Sequence, residues 1–172
     1  MEITLDNPAG APQPLSPYYS QVARVLQADG SALLFLSGQI AEGATLAEQS
    51  RGVFETIDAL LRAHGAGLAD VVNIRTYLTD ITRLAEYGAV RREFLTGTPP
   101  TSMTFEVPRL FRPEAQIEVE VVAAVPAPAS APASVPADPA WADRVGFVPR
   151  RRSRACRSWW ASGPPWAGWK RP

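Results

Sequence analysis

A single cysteine, Cys156, and a single histidine, His64, are all that this 172-residue chain holds of either. One thiol excludes an intrachain disulfide and a cysteine-rich metal site. One imidazole speaks against a zinc site and against a Ser-His-Asp triad. The first residues, MEITLDNPAGAPQPL, lack the basic segment and apolar core of a signal peptide. No apolar run approaches the roughly 18–20 residues that span a bilayer. A soluble, cytoplasmic chain with no membrane partner and no metal is the expectation. Net charge is also lacking, but the zero conceals a split. Residues 1–125 carry 9 Arg against 15 Asp and Glu, a net of −6, whereas 126–172 carry 7 Arg and 1 Lys against 2 Asp, a net of +6. All five tryptophans fall in the second part. The asymmetry implies an acidic folded domain over 1–125 and a basic tail of different character over 126–172. The apolar content of 46% suffices for one ordinary globular core.

What is present in 1–125 is a regular alternation of element signals. Residues 1–17, rich in Pro, Ala and Gly, read as an extended lead-in. A first strand over 19–26 and a second over 32–40 flank Asp29-Gly30, a strong hairpin turn signal. The second strand ends in Ser37-Gly38-Gln39. A Ser-Gly there reads either as a simple bulge or as a place where another group approaches the backbone closely. Thr45 and Glu48 form a capping box for a helix over 45–64, with Val53, Ile57, Leu60 and Leu61 as its apolar stripe. Gly65 and Gly67 stop it, and His64 in the last turn reads as a cap rather than a ligand. A third strand, 70–78, puts Val72, Ile74, Thr76 and Leu78 on one face and Asn73, Arg75 and Tyr77 on the other. A mid-strand arginine beside a tyrosine implies a face that is wet, paired or lining a pocket. Asp80 or Thr82 caps a second helix to about Leu95, with Leu84, Tyr87, Val90, Phe94 and Leu95 as its buried positions.

Two strands close the domain. The first, over 102–107, follows Pro99-Pro100, and the second, over 116–125, sets Ile117, Val119 and Val121 against Glu118 and Glu120. The order is ββαβαββ, an α+β arrangement with both helices covering one face of a mixed sheet. The two glutamates admit two readings: a solvated sheet face, or a carboxylate in a cleft that handles a proton or a water. Beyond Val125, PAPASAPASVPADPA is a low-complexity linker that cannot build a core. PRRRSRACRSWWASGPPWAGWKRP then interleaves Arg with Trp, a pattern of nucleic-acid or anionic-surface binding or of an unstructured extension.

The segments SPY, FLSGQIA, DVVNIRTYLTD, RREF followed by PP, and SMTFEV followed by IEVEVVA resemble, in order and spacing, the Rid family of reactive-intermediate deaminases, also called the YjgF family. The resemblance covers about residues 15–125. It implies a chorismate-mutase-like α+β fold, a homotrimer with sites at the subunit interfaces, and hydrolysis of imino and enamino acids without metal or organic cofactor. Carried over by position, it gives Glu118 as the group that positions water, Tyr18 as a pocket residue, Ser37 and Gly38 as backbone contacts, and a further backbone contact near Thr104. The family's substrate-clamping arginine is replaced here by Ser102. A hydroxyl cannot imitate a bidentate arginine–carboxylate pair. The chain resembles an arginine-less branch with an R-x-Y pattern on its third strand, matched by Arg75 and Tyr77.

These readings point to a cofactor-free hydrolase of a small imine or enamine metabolite, acting through Glu118 and poor on 2-aminoacrylate. The ligand would then either lack a carboxylate or place one against Arg75, unless Arg75 only pairs with Glu118 or Glu120. A non-catalytic trimer that binds a small metabolite is the rival. RNA binding or cleavage is the weaker one, because a domain at −6 repels phosphates.

Overall fold

The alternation around Glu118 and Glu120 becomes the centre of the molecule. The structure, a computed structural model, describes residues 1–128; the linker and basic tail expected from residue 126 onward lie, past residue 128, outside the described residues. The last strand, Ile117–Val125, is bonded on one side to Ala32–Gln39 and on the other to Val71–Leu78, antiparallel to both. Ile117, Val119, Val121 and Ala123 are buried on one face, and Glu118, Glu120, Val122 and Ala124 stand on the other. A strand between two neighbours with one covered face shows this alternation.

The strands, in chain order, are β1 Glu2–Asp6, β2 Val22–Leu26, β3 Ala32–Gln39, β4 Val71–Leu78, β5 Thr101–Glu106 and β6 Ile117–Val125. They form one sheet in the order β1-β2-β3-β6-β4-β5, parallel only between β4 and β5. That parallel pair needs a crossover, and the helix α2, Leu84–Phe94, lies within it. The longer helix α1, Leu46–Ala63, joins β3 to β4. Its capping box is formed by Thr45 and Glu48, and Gly65 at φ 75° takes the left-handed turn that follows its last residues. Val53, Phe54, Ile57, Leu60 and Leu61 of α1 pack into one core with Leu34, Leu36, Ile74, Ile117 and Val119 of the sheet. Phe54 stacks on Phe94 at 5.1 Å between ring centroids, which ties the two helices together. Within this layer Thr76 Oγ1 and Tyr87 Oη share a 2.8 Å hydrogen bond, so the buried hydroxyls satisfy each other. No helix among the described residues is long and apolar enough to cross a membrane.

Three expectations are corrected. Residues 2–6 are not lead-in but an edge strand, paired with β2 from Glu2↔Leu26 to Asp6↔Val22. Glu-Ile-Thr-Leu-Asp has strand character of its own, and the Pro-, Ala- and Gly-rich stretch begins only after it. The order is therefore βββαβαββ. On β4 the register shifts between Val71 and Asn73. Val71 is consequently buried and Val72 exposed, while Asn73 to Leu78 alternate as expected. Leu84 is also exposed rather than buried, because a 3-10 turn at Ile81–Arg83 precedes α2 and Ile81 packs against the core there.

Candidate active site

The site begins with one extra residue. Leu36 of β3 faces Val121, but Gln39 faces Val119, so three steps on β3 match two on β6 and the bulge falls at Ser37-Gly38. Its backbone is fastened to the preceding loop: Ser37 Oγ donates to the Ser20 carbonyl at 2.8 Å, and Ser37 N to the Gln21 carbonyl at 3.0 Å. Gln39, turned inward by the bulge, donates from Nε2 to the Ser37 carbonyl at 2.9 Å. Gly38 then meets Glu118. A Cβ added to Gly38 would overlap Glu118 Oε1 and lie 2.8 Å from its Cδ. The Ser-Gly pair is thus both a bulge and a close approach, and the group that approaches is the glutamate carboxylate.

Around this contact lies a cleft of about 360 Å³, walled by Leu15, Tyr19, Ile40 and Phe111, with Ser16, Ser37, Gly38 and Glu118 at its polar side. The loop that carries Phe111 is held at its end by Gln49 of α1. Gln49 Oε1 accepts from Gln116 N at 2.8 Å, and Nε2 donates to the carbonyls of Glu114 and Gly43 at 3.0 Å. Burial pushes the Glu118 carboxyl above the ordinary glutamate range, and the Glu120 charge pushes it the same way. No cation among the described residues offsets either effect.

The rest of that sheet face is organised differently. Arg75 Nη1 lies 2.6 Å from Glu120 Oε1, and this hydrogen bond, with the attraction behind it, holds the guanidinium proton more firmly still. Arg75, Asn73, Glu120 and Phe35 line a separate hollow of about 110 Å³. Tyr77 is the cross-strand neighbour of Glu118, but its ring stacks on Phe105 of β5 at 5.7 Å. Burial, ahead of the Glu120 charge, pushes its phenol up. Ser102 and Thr104 pair in register with Ile74 and Thr76, which places their side chains on the helix side of the sheet. Ser102 Oγ accepts from Arg91 Nη1 of α2 at 2.9 Å.

Within the chain the structure therefore joins Glu118, Ser37 and Gly38, keeps Arg75 and Tyr77 on the same face outside the cleft, and sets the Ser102 and Thr104 side chains on the opposite face. Tyr18 is 94% exposed and does not line this cleft. Its neighbour Tyr19 does, positioned by the hydrogen bond its hydroxyl accepts from Leu15 N at 3.1 Å. Leu15, Tyr19, Ile40 and Phe111 had not been singled out from the sequence. Phe111, 75% exposed in a loop of Pro and Arg, carried the one visible signal: a large aromatic where a solvated loop needs none. A larger cavity, about 450 Å³, shares Leu15 and Ile40 with this cleft. Its Arg112 faces Glu42 at 3.5 Å and Glu114 at 3.9 Å near solvent.

With this fold and cleft in view, comparison with known proteins gives the class. The family model described as Endoribonuclease L-PSP matches residues 9–125. A RutC family protein of Saccharolobus solfataricus is 36% identical over 121 residues, 66% of this chain and 90% of that protein. A crystal structure from Mycobacterium tuberculosis, described as a member of the YjgF/YER057c/UK114 family, superposes with a TM-score of 0.62 at 29% identity, over 72% of this chain and all of the other. The chain belongs to the Rid (YjgF) family, with its chorismate-mutase-like α+β fold. A relative from Dermatophagoides farinae, 28% identical over 67% of this chain and 91% of its own, bears the name 2-iminobutanoate/2-iminopropanoate deaminase.

Proposed function

We propose that this chain hydrolyses a small imine or enamine, using the acid–base chemistry of its own residues in clefts completed by neighbouring subunits of a homotrimer. The observation that carries the reading is the Glu118 carboxyl, seated against Gly38 in a cleft and held above its ordinary pKa with no cation beside it. A carboxylate tuned toward neutrality can take a proton from water and return it to a leaving amine. The deaminase name of the relative from Dermatophagoides farinae supports the reaction class. The endoribonuclease description of the family model is opposed here by the net −6 of residues 1–125.

The trimer reading rests on the uncovered sheet face. Ile3, Leu5, Phe35, Met103 and Phe105 are all exposed on it, an apolar extent that calls for another protein surface. Tyr18, exposed and outside its own chain's cleft, is then free to reach toward a neighbour. The test uses the full chain. Sedimentation fixes its oligomeric state, and imines generated in situ by an amine or amino acid oxidase are followed as they decay with and without the protein. Faster decay that is lost in Glu118→Gln is expected. No acceleration across the panel, or an equal rate in the variant, would refute the reading.

A further inference from the structure

The charge around the Glu118 cleft speaks to what it accepts. Leu15, Ile40, Phe111 and Tyr19 present hydrocarbon and aromatic surface, and Glu118 is the one charged residue among those lining it. Among the described residues no arginine lines the cleft: Arg109, in the Phe111 loop, is exposed and not among its walls, and three others are engaged elsewhere. Arg75 is on Glu120, Arg112 faces Glu42 and Glu114, and Arg91 donates to Ser102 on the other face of the sheet. Among the groups this chain itself places at the cleft, a carboxylate or phosphate would meet Glu118 and, behind it, Glu120, with no counter-charge. A cation would meet attraction from Glu118, in a cleft whose walls include the aromatic side chains Tyr19 and Phe111.

Resting on the imine- and enamine-hydrolase reading of this cleft, we propose that the substrate is an apolar-substituted imine bound as its iminium cation and carrying no carboxylate or phosphate. The chemistry balances. Water oxygen bonds to the iminium carbon as the C=N π pair moves onto nitrogen, and Glu118 takes the proton that water loses. The neutral amine of the adduct then accepts a proton from Glu118. As the C–N bond breaks, the adduct's hydroxyl oxygen forms the carbonyl and its proton passes to Glu118, which releases it to solvent or to the departing ammonia. The products are a ketone or aldehyde and ammonium. A bound cation also favours the ionised carboxylate, so binding prepares the base that the reaction uses.

Three ligands with one branched carbon skeleton test the assignment by calorimetry on the full chain: 3-methylbutylamine, 3-methylbutanamide and 3-methylbutanoate. The amine is expected to bind with Kd about 1 mM or better, within the reach of a ligand of about six heavy atoms. It should bind at least about tenfold tighter than the carboxylate, and tighter as pH rises through the titration of Glu118. Glu118→Gln, with its oligomer intact, should remove both the preference and the pH dependence. Preferential binding of 3-methylbutanoate, above all if lost in Arg75→Ala, would overturn the assignment, as would no saturable binding of the amine. Binding and turnover separate the two claims. If the amine preference holds while no imine is hydrolysed, the hydrolase reading falls and the preference stands. If carboxylated imines are hydrolysed through Glu118 and bind best, the hydrolase reading stands and this assignment falls.

Discussion

Glu118 and Glu120 stand two residues apart on the same face of the same strand, yet they occupy different chemical settings. Glu120 has a guanidinium at 2.6 Å, in an exchange with Arg75 that is open to solvent. Glu118 has a glycine backbone, an apolar cleft and a neighbouring negative charge. The difference arises outside β6, because β4 supplies Arg75 opposite Glu120 and β3 supplies a bulge beside Glu118. Strand alternation can bring two identical side chains to one face, but the neighbouring strands decide which is paired with a cation and which is left without one.

The comparison breaks hardest at Glu118. Glu118→Gln should lower kcat/KM for imine hydrolysis by about 10²–10⁴-fold, the usual worth of a positioned acid–base group, with its sedimentation the same as the wild-type protein's. Gly38→Ala comes next. Its methyl would occupy the space of the Glu118 carboxylate, so one of the two must move. A loss of about 10–100-fold in kcat/KM is expected from the misplaced group, with about 1–3 kcal/mol of destabilisation from overpacking in denaturant titrations.

Glu120→Gln sharpens the contrast without removing either cleft wall. Glu120 raises the Glu118 pKa, so its neutralisation should move the acidic limb of the pH–rate profile to lower pH. The linkage to stability has the corresponding sign. Because the folded state holds the Glu118 proton more tightly than the unfolded chain, the stability contributed by that proton is present below the ordinary glutamate pKa and is lost as pH rises through the raised one. Glu118→Gln should therefore melt above the wild-type protein at neutral pH, the gap closing in acid. The smallest effect is expected from Arg75→Ala, which removes an exposed ion pair worth little in stability and lying outside the cleft. Its melting temperature should barely move.

Local signals in this chain were legible because local physics sets them. The Thr45–Glu48 capping box, the Asp29-Gly30 turn and the alternation of Ile117 to Val121 each need only a few neighbouring residues, and each forms as read. The β1 strand was obscured by the Pro-, Ala- and Gly-rich residues that follow it. The site was legible in part. Ser37-Gly38 and Glu118 were visible as candidates, but the contact between them depends on the β3–β6 register. The side of the sheet on which Ser102 falls depends on parallel pairing with β4, across 28 residues from Ile74, and sequence position alone does not carry that. Tyr19 rather than Tyr18 lines the cleft because a hydrogen bond to Leu15 N fixes a loop that has no periodicity to read.

The central claim, that Glu118 is the reactive carboxylate of this face, is tested most directly by its own titration. Carboxyl ¹³C NMR of the intact protein labelled at glutamate, with Glu118→Gln to assign the resonance, gives the midpoint without any assumption about substrate. A midpoint above the ordinary glutamate value, falling in Glu120→Gln, is the predicted result. A midpoint at or below that value, unmoved in Glu120→Gln, would contradict it.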